Sequence, residues 1–245
     1  MEELHQRLLN QYYNDKVLDE QRFANLFKEY KDSLPNMIYH GMEGEELFSK
    51  YVELTLDKCT NIRNVYIPTM SIPHYRKGHF AEVDSLLIHN TGVYIVEYKN
   101  YRGIVSGEAS SNEWSLVYAN GNKYTIKNQI QQLLYHLDRV QGFLSERGFP
   151  DTVPIYACLV YADAADISIT GNNTKVNILS QYEFLRRVKL VMKTQPCISD
   201  KMCSDIVNVL GEFSDSSIEM KYIHNLILMG NMEQFYNSYF ARNKI

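Results

Sequence analysis

The spacing of apolar residues divides the chain into a helical start, a strand-rich middle and a helical end. Leu4, Leu8, Leu9, Tyr12, Phe23, Leu26, Phe27 and Tyr30 recur at roughly helical intervals, which predicts helix over residues 1–32. Ser33-Leu34-Pro35 predicts a stop, because proline disfavours helical backbone in the residue before it. A second helix is predicted over about 43–57, with Leu47, Tyr51 and Leu54 on one face. The period then changes. Runs rich in Val, Ile, Leu and Tyr at 64–70, 81–88, 92–100 and 114–118 are separated by turn residues and read as strands. A long helix over about 126–147 carries the stripe Ile130, Leu133, Leu134, Leu137, Val140 and Leu144, and Gly148-Phe149-Pro150 ends it. Residues 153–161 are apolar without alternation, as in a strand buried on both faces. A strand at 176–179, a helix over 182–192 and a helical pattern after Pro196 complete the chain. The order predicts a mixed α/β core with helical additions at both ends.

Composition narrows the function classes. The 245 residues suit one domain with additions or two small ones, and 45% hydrophobic with 22% charged residues supports a sizeable core. Nineteen tyrosines against one tryptophan suggest many half-buried contact positions. A formal net charge of −4 argues against a passive coat on nucleic acid, whose affinity comes from neutralising phosphates. An enzyme with a local basic patch or a metal ion stays compatible with that charge. Cys59, Cys158, Cys197 and Cys203 form no C-x-x-C pair and no cysteine–histidine cluster at zinc spacing, so they read as reduced thiols. No signal peptide or membrane-length apolar run is present, which predicts a soluble, cytoplasmic protein with no membrane association. Walker, G-x-G-x-x-G, H-E-x-x-H and G-x-S-x-G motifs are all missing.

The candidate chemistry lies in residues 81–103, AEVDSLLIHNTGVYIVEYKNYRG. Two strand-like runs flank His89-Asn90-Thr91-Gly92, a hairpin connection. With Asn90-Thr91 as the loop, Asp84 stands opposite Glu97, and facing Cβ atoms lie about 5 Å apart in such pairs. Lys99 joins that face, because strand residues two apart share one. A three-residue loop would move the register by one. Ionised groups amid this much apolar surface are costly to desolvate unless paired or bound to a cation. Two facing carboxylates repel, and Mg2+ or Mn2+ relieves the repulsion while activating water and offsetting charge on a leaving oxygen. On the residues alone, a solvent-facing Glu-x-Lys ion pair remains an equal reading.

The pieces and their order carry a resemblance. Asp84, Glu97 and Lys99 form D-x12-E-x-K across a hairpin, which resembles the signature of the PD-(D/E)XK nucleases. The fuller pattern resembles one branch, the nuclease-related domain called NERD. Its matching pieces are Gly41-Met42-Glu43-Gly44-Glu45, Glu82-Val83-Asp84-Ser85-Leu86-Leu87, residues 92–103, Trp114, Asn128-Gln129-Ile130-Gln131-Gln132 and the strand at 154–161. The resemblance covers about residues 41–187. It implies a restriction-endonuclease-like α/β core at 41–190, a central mixed sheet flanked by helices, with helical extensions at 1–40 and 191–245. By the same resemblance Asp84 and Glu97 are the principal ligands of Mg2+ or Mn2+, and Glu45 is the helix-borne acid that completes the site. Lys99 is the catalytic lysine, and Gln132 orients the site or touches the substrate. Where the family's helix usually opens Asn-Pro, this chain has Asn128-Gln129, and proline is favoured there but not required.

The implied activity is metal-dependent hydrolysis of phosphodiester bonds in nucleic acid, with DNA as the first substrate. Two rivals stay open: RNA cleavage, and a non-catalytic module that binds nucleic acid or protein. Some positions carry plainer readings beside the implied ones. Glu43, Glu45 and Glu46 suit the dipole of a helix start regardless of function. Gln129, Gln132, His136 and Arg139 form a polar stripe opposite the apolar one, which solvent alone would explain. Arg76, Lys77, Arg102, Lys123 and Lys127 are candidates to line one groove for phosphates, with His136 and Arg139 as further contacts. Arg186, Arg187, Lys189 and Lys193 read as one charged helix face. The C-terminal apolar positions Ile223, Leu226, Ile227, Phe235, Tyr236 and Phe240 could serve a homodimer or a protein partner, or could cover the core.

Overall fold

The computed structural model describes residues 20–68, 80–171, 175–218, 220–221 and 224–225. Residues 1–19 of the helix predicted over 1–32, the basic pair Arg76-Lys77 and the C-terminal apolar positions lie outside these residues. The chain divides into two units, Gly41–Ser216 and a second made of Met1–His40 with Ser217–Ile245. Among the described residues no helix is long and apolar enough to cross a membrane.

Helix α1 spans Glu20–Thr55 with Pro35 inside it, so the predicted stop at Ser33-Leu34-Pro35 does not occur. Leu34 and Ile38, four residues apart, are both buried, and this apolar spacing carries the helix through the backbone hydrogen bond that proline removes. Its buried face is also rotated from the expected one. Phe48 and Val52 are buried, while Leu47, Tyr51 and Leu54 are exposed. Adjacent helical positions are about 100° apart, so a one-residue offset is enough to exchange faces.

The core unit continues with β1 (Thr60–Pro68), β2 (Phe80–His89), β3 (Gly92–Lys99), β4 (Gly103–Glu108), β5 (Glu113–Val117) and β6 (Lys123–Lys127). Then come α2 (Gln129–Glu146), β7 (Ile155–Tyr161), β8 (Ala165–Thr170), β9 (Val176–Ser180), α3 (Gln181–Val191) and α4 (Asp200–Gly211). The fold class is the expected mixed α/β, as in a restriction-endonuclease-like core, but the strands form two sheets where the sequence suggested one. A five-stranded sheet has the order β1-β2-β3-β7-β9, and a four-stranded sheet the order β6-β5-β4-β8. In the first, β1, β2 and β3 pair antiparallel, and β3, β7 and β9 pair parallel. In the second, only β4 and β8 are parallel.

Both faces of the five-stranded sheet are covered, which explains why β3 and β7 read as continuous apolar runs. Val93 and Ile95 of β3 join one apolar cluster with Ile130, Leu133 and Val140 of α2. Tyr94, Val96 and Tyr98 join the other with Phe48 and Val52 of α1 and Phe184, Leu185 and Val188 of α3. Asn128 caps α2, its Oδ1 accepting from the Ile130 N–H at 2.9 Å. Its Nδ2 donates to the carbonyls of Ala109 and Ser111 at 2.9 and 2.6 Å, so the cap also fastens the helix start to the β4–β5 turn.

Two neighbouring strands change sheets together. The β3–β7 ladder ends at Lys99 opposite Tyr161, and the β4–β8 ladder begins at Gly103 opposite Ala165. Between them the Ala162 N–H donates to the Lys99 carbonyl at 3.0 Å, and the Gly103 N–H to the Ala164 carbonyl at 3.3 Å.

Candidate active site

The polar residues singled out in the sequence converge near the carboxyl end of β3. The β2–β3 register runs from His89 opposite Gly92 to Ser85 opposite Val96, as a two-residue loop requires. One further step brings Asp84 level with Glu97. There the Tyr98 N–H donates to the Asp84 carboxylate, Oδ2, at 3.0 Å, so a side chain stands in for a ladder carbonyl. Across β2 from Asp84, Asn64 of β1 has a φ of 48°, a left-handed conformation that asparagine tolerates better than most residues. The inversion shows in the packing. Ile62, Val65 and Ile67 all join the same cluster although their spacing breaks strict alternation.

Glu97 is the centre of the site and is 1% exposed. Its Oε1 accepts from Lys99 Nζ at 2.6 Å and from Gln132 Nε2 at 2.9 Å. Its Oε2 has no hydrogen-bond partner, and neither has His136 Nδ1, which lies 3.3 Å away without the alignment of a hydrogen bond. Burial pushes the Glu97 pKa upward, but the Lys99 ammonium and the His136 ring together outweigh it and hold the carboxyl below its ordinary range. Burial alone would lower the Lys99 pKa, but the charges of Glu97 and Asp84 hold it well above the usual value. The pair is therefore ionised through neutral pH. Buried charges persist only with partners of this kind.

The helix supplies more than the sequence suggested. Gln129 and His136 are buried and Gln132 is half-buried, so the polar stripe of α2 faces the sheet rather than solvent. Gln129 accepts at Oε1 from the Tyr161 hydroxyl at 2.6 Å and donates from Nε2 to the Tyr101 hydroxyl oxygen at 3.0 Å. Arg139 pairs with its neighbour Asp138, and its guanidinium lies 5.6 Å from the Tyr135 ring centroid. Gln129, Tyr101 and Tyr161 were not singled out for a role from the sequence. The available signal was the spacing of Gln129, Gln132 and His136 by three and four residues, which puts them on one helix face.

The remaining predicted residues lie on α1, just after β3 and at the end of β6, or cannot be described. Glu45 is half-buried on α1, and its charge is among those that raise the Tyr66 hydroxyl pKa, after burial and Glu82. A Cβ on its neighbour Gly44 would fall 2.8 Å from Asn100 Cβ, so this turn of α1 packs tightly on the residue after Lys99. Arg102 is exposed just beyond, and Lys127 is half-buried at the end of β6. Lys77 lies outside the described residues.

Among the described residues no three or more His, Cys, Asp or Glu side chains gather as a metal-holding group. What is present is a pair of carboxylates on adjacent strands, one with a buried oxygen that no donor satisfies. An all-oxygen set that leaves room for waters fits a small hard cation such as Mg2+ or Mn2+.

Comparison with known proteins adds one finding. The family model described as the nuclease-related domain, NERD, matches residues 40–162, half of the chain. No curated protein and no solved structure matches it.

Proposed function

The chain belongs to the nuclease-related domain family, NERD, and from that premise and the site geometry we propose that it is a Mg2+- or Mn2+-dependent nuclease. It hydrolyses phosphodiester bonds, with DNA as the substrate. Asp84 and Glu97 hold the ion. The observation that carries this reading is Glu97. An ionised carboxylate this deeply buried, with one oxygen left without a donor, is costly unless a cation completes it. When bound, such an ion supplies Lewis acidity, lowers the pKa of water and offsets charge on the leaving oxygen.

The chain's own groups do the rest. Lys99 and Gln132 both bind Oε1, which fixes the carboxylate and leaves Oε2 as its other coordinating edge. The Tyr98 N–H donates to Asp84 Oδ2 and steadies that carboxylate beside Glu97. Lys99 stays protonated at neutral pH and is 21% exposed, so its charge reaches the space where a phosphate would sit. There it stabilises the negative charge that builds on phosphate oxygens as water attacks. Glu45, on the turn of α1 that abuts Asn100, is the candidate for a third carboxylate.

Cleavage of supercoiled, linear and single-stranded DNA and of RNA, by wild type and Lys99→Ala with Mn2+, Mg2+ or EDTA, tests the reading. Metal-dependent cutting lost in the variant is the expected result. Cutting that survives Lys99→Ala would place the chemistry elsewhere. One observation favours a non-catalytic module instead, namely that no three-ligand group forms among the described residues. Calorimetric titration with Mn2+ separates the two. A site abolished by Asp84→Ala supports the enzyme, and no site in folded wild type supports the module.

A further inference from the structure

We propose that Tyr101 is a phosphate-contacting residue of this site, its hydroxyl proton aimed at a substrate oxygen by a hydrogen-bond chain that starts at Tyr161. The inference rests on the nuclease reading above. Direction decides the role. Tyr161 is fully buried, and its hydroxyl donates to Gln129 Oε1 at 2.6 Å. The amide is thereby oriented. Its oxygen faces Tyr161, and its NH2 faces Tyr101, donating to the phenol oxygen at 3.0 Å. A hydroxyl has one proton and two lone pairs. With a lone pair already taken, the Tyr101 hydroxyl keeps its own proton for a further acceptor, and no acceptor among the described residues takes it.

Two further observations make this a positioned donor. The Tyr101 and Tyr161 rings tilt against each other with centroids 6.1 Å apart, so the ring is held as well as the oxygen. Accepting one hydrogen bond also strengthens the next donation along a chain. Tyr101 follows Lys99 by two residues, and it is among the groups that raise the Lys99 pKa, after Glu97 and Asp84. An ammonium at the end of β3 and a phenol two residues on offer two donors to the non-bridging oxygens of a phosphodiester, where bonds to a charged acceptor are shorter and stronger than neutral ones. Gln129 and Tyr161 are positioning residues. They act only through Tyr101.

The experiment measures binding separately from cleavage. Fluorescence anisotropy of a labelled 20-mer, single-stranded and duplex, is recorded in EDTA for wild type, Tyr101→Phe, Tyr161→Phe and the double variant. Circular dichroism and thermal melting check that each is folded. Tyr101→Phe keeps the ring and removes only the hydroxyl, and is expected to weaken binding about tenfold. Tyr161→Phe frees the amide to turn, so that its oxygen draws the Tyr101 proton inward, and is expected to weaken binding about threefold. The double variant should match Tyr101→Phe alone, because the second change acts through the first. Tyr101→Phe binding within twofold of wild type would overturn the inference, as would independent, multiplying effects of the two changes. Wild type that binds neither oligonucleotide would overturn it too. Cleavage assays on the same proteins keep the two claims apart. Lys99-dependent cutting with no effect of Tyr101→Phe on binding sinks this inference alone. Tyr101-dependent binding without any cutting sinks the nuclease reading and leaves the phosphate contact standing.

Discussion

Replacing Lys99 with methionine removes the cation that keeps Glu97 charged, and the cost should depend on pH in a direction the site dictates. Methionine keeps most of the apolar stem, so the change isolates the charge. Removing one partner of a buried ion pair costs about 3–5 kcal/mol. Gln132 would still donate to Oε1, His136 would remain beside Oε2, and Lys99 is itself 21% exposed. The lower end, about 3 kcal/mol near neutral pH, is therefore expected. In wild type the Glu97 pKa is held below its unfolded value, so its contribution is present above the ordinary carboxylate range and lost as pH falls through the folded value. The Lys99 pKa is raised, so its contribution is present below the ordinary lysine range and lost as pH rises through the folded value. In the variant, burial is no longer outweighed by the ammonium, and the Glu97 pKa moves above its unfolded value. Stability of the variant then falls as pH rises through that new value. The gap between the two proteins should be wide at pH 8 and should narrow toward pH 5. The slope is at most about 1.4 kcal/mol per pH unit for one proton.

Urea titration followed by tryptophan emission measures this, because Trp114 is the only tryptophan and is buried in the core unit. The double variant Glu97→Gln with Lys99→Met should recover at least half of the loss, since neither buried charge remains. A gap that does not change with pH would refute the reasoning. So would a double variant no more stable than Lys99→Met alone.

Three other outcomes follow from single contacts. A Cβ on Gly107 would fall 2.3 Å from Trp114 Cδ1, so Gly107→Ala should cost about 1–3 kcal/mol and shift Trp114 emission to the red in the folded state. Asn128→Ala removes the α2 cap and both bonds to the β4–β5 turn, and should lower stability by about 2 kcal/mol or more in the same urea titration. Gln132→Ala leaves the fold intact but frees Glu97 Oε1 on one side, and should lower Mn2+ affinity by calorimetry about tenfold.

The elements legible in the sequence were those with an unambiguous period. The β2–β3 hairpin could be registered by counting outward from Asn90-Thr91, and the pairing of Ser85 with Val96 follows that count. The four-stranded sheet was not legible, because β4, β6 and β8 were not recognised as strands. Each is short, β4 carries only two large apolar residues, Ile104 and Val105, and β8 buries only Ala165 fully. Such segments become strands when neighbours are present, a tertiary effect that local propensity does not contain. The same limit explains the stripe on α2. Polar residues opposite an apolar face usually meet water, but here α2 packs against strands that themselves carry Glu97 and Tyr161. A helix can bury a polar stripe beside its apolar one when the sheet beneath it is polar too.

The location of the site follows from the way the strands divide. The β3–β7 and β4–β8 ladders keep one register offset, and segments of equal length, 100–102 and 162–164, bridge the two sheets. Lys99 and Tyr161 are thus the last residues of a shared ladder, at the carboxyl ends of two parallel strands. In α/β sheets the space beyond such ends is where ligands bind, because strands or connections that part there leave a crevice. Exposure along this stretch is graded accordingly. Glu97 is sealed, Lys99 is 21% exposed, and Tyr101 is half-buried beyond it. A carboxylate that must stay dry and a cation that must meet substrate have opposite needs. Two residues of separation at a strand end meet both, with α2 closing the site over Glu97 through Gln132 and His136.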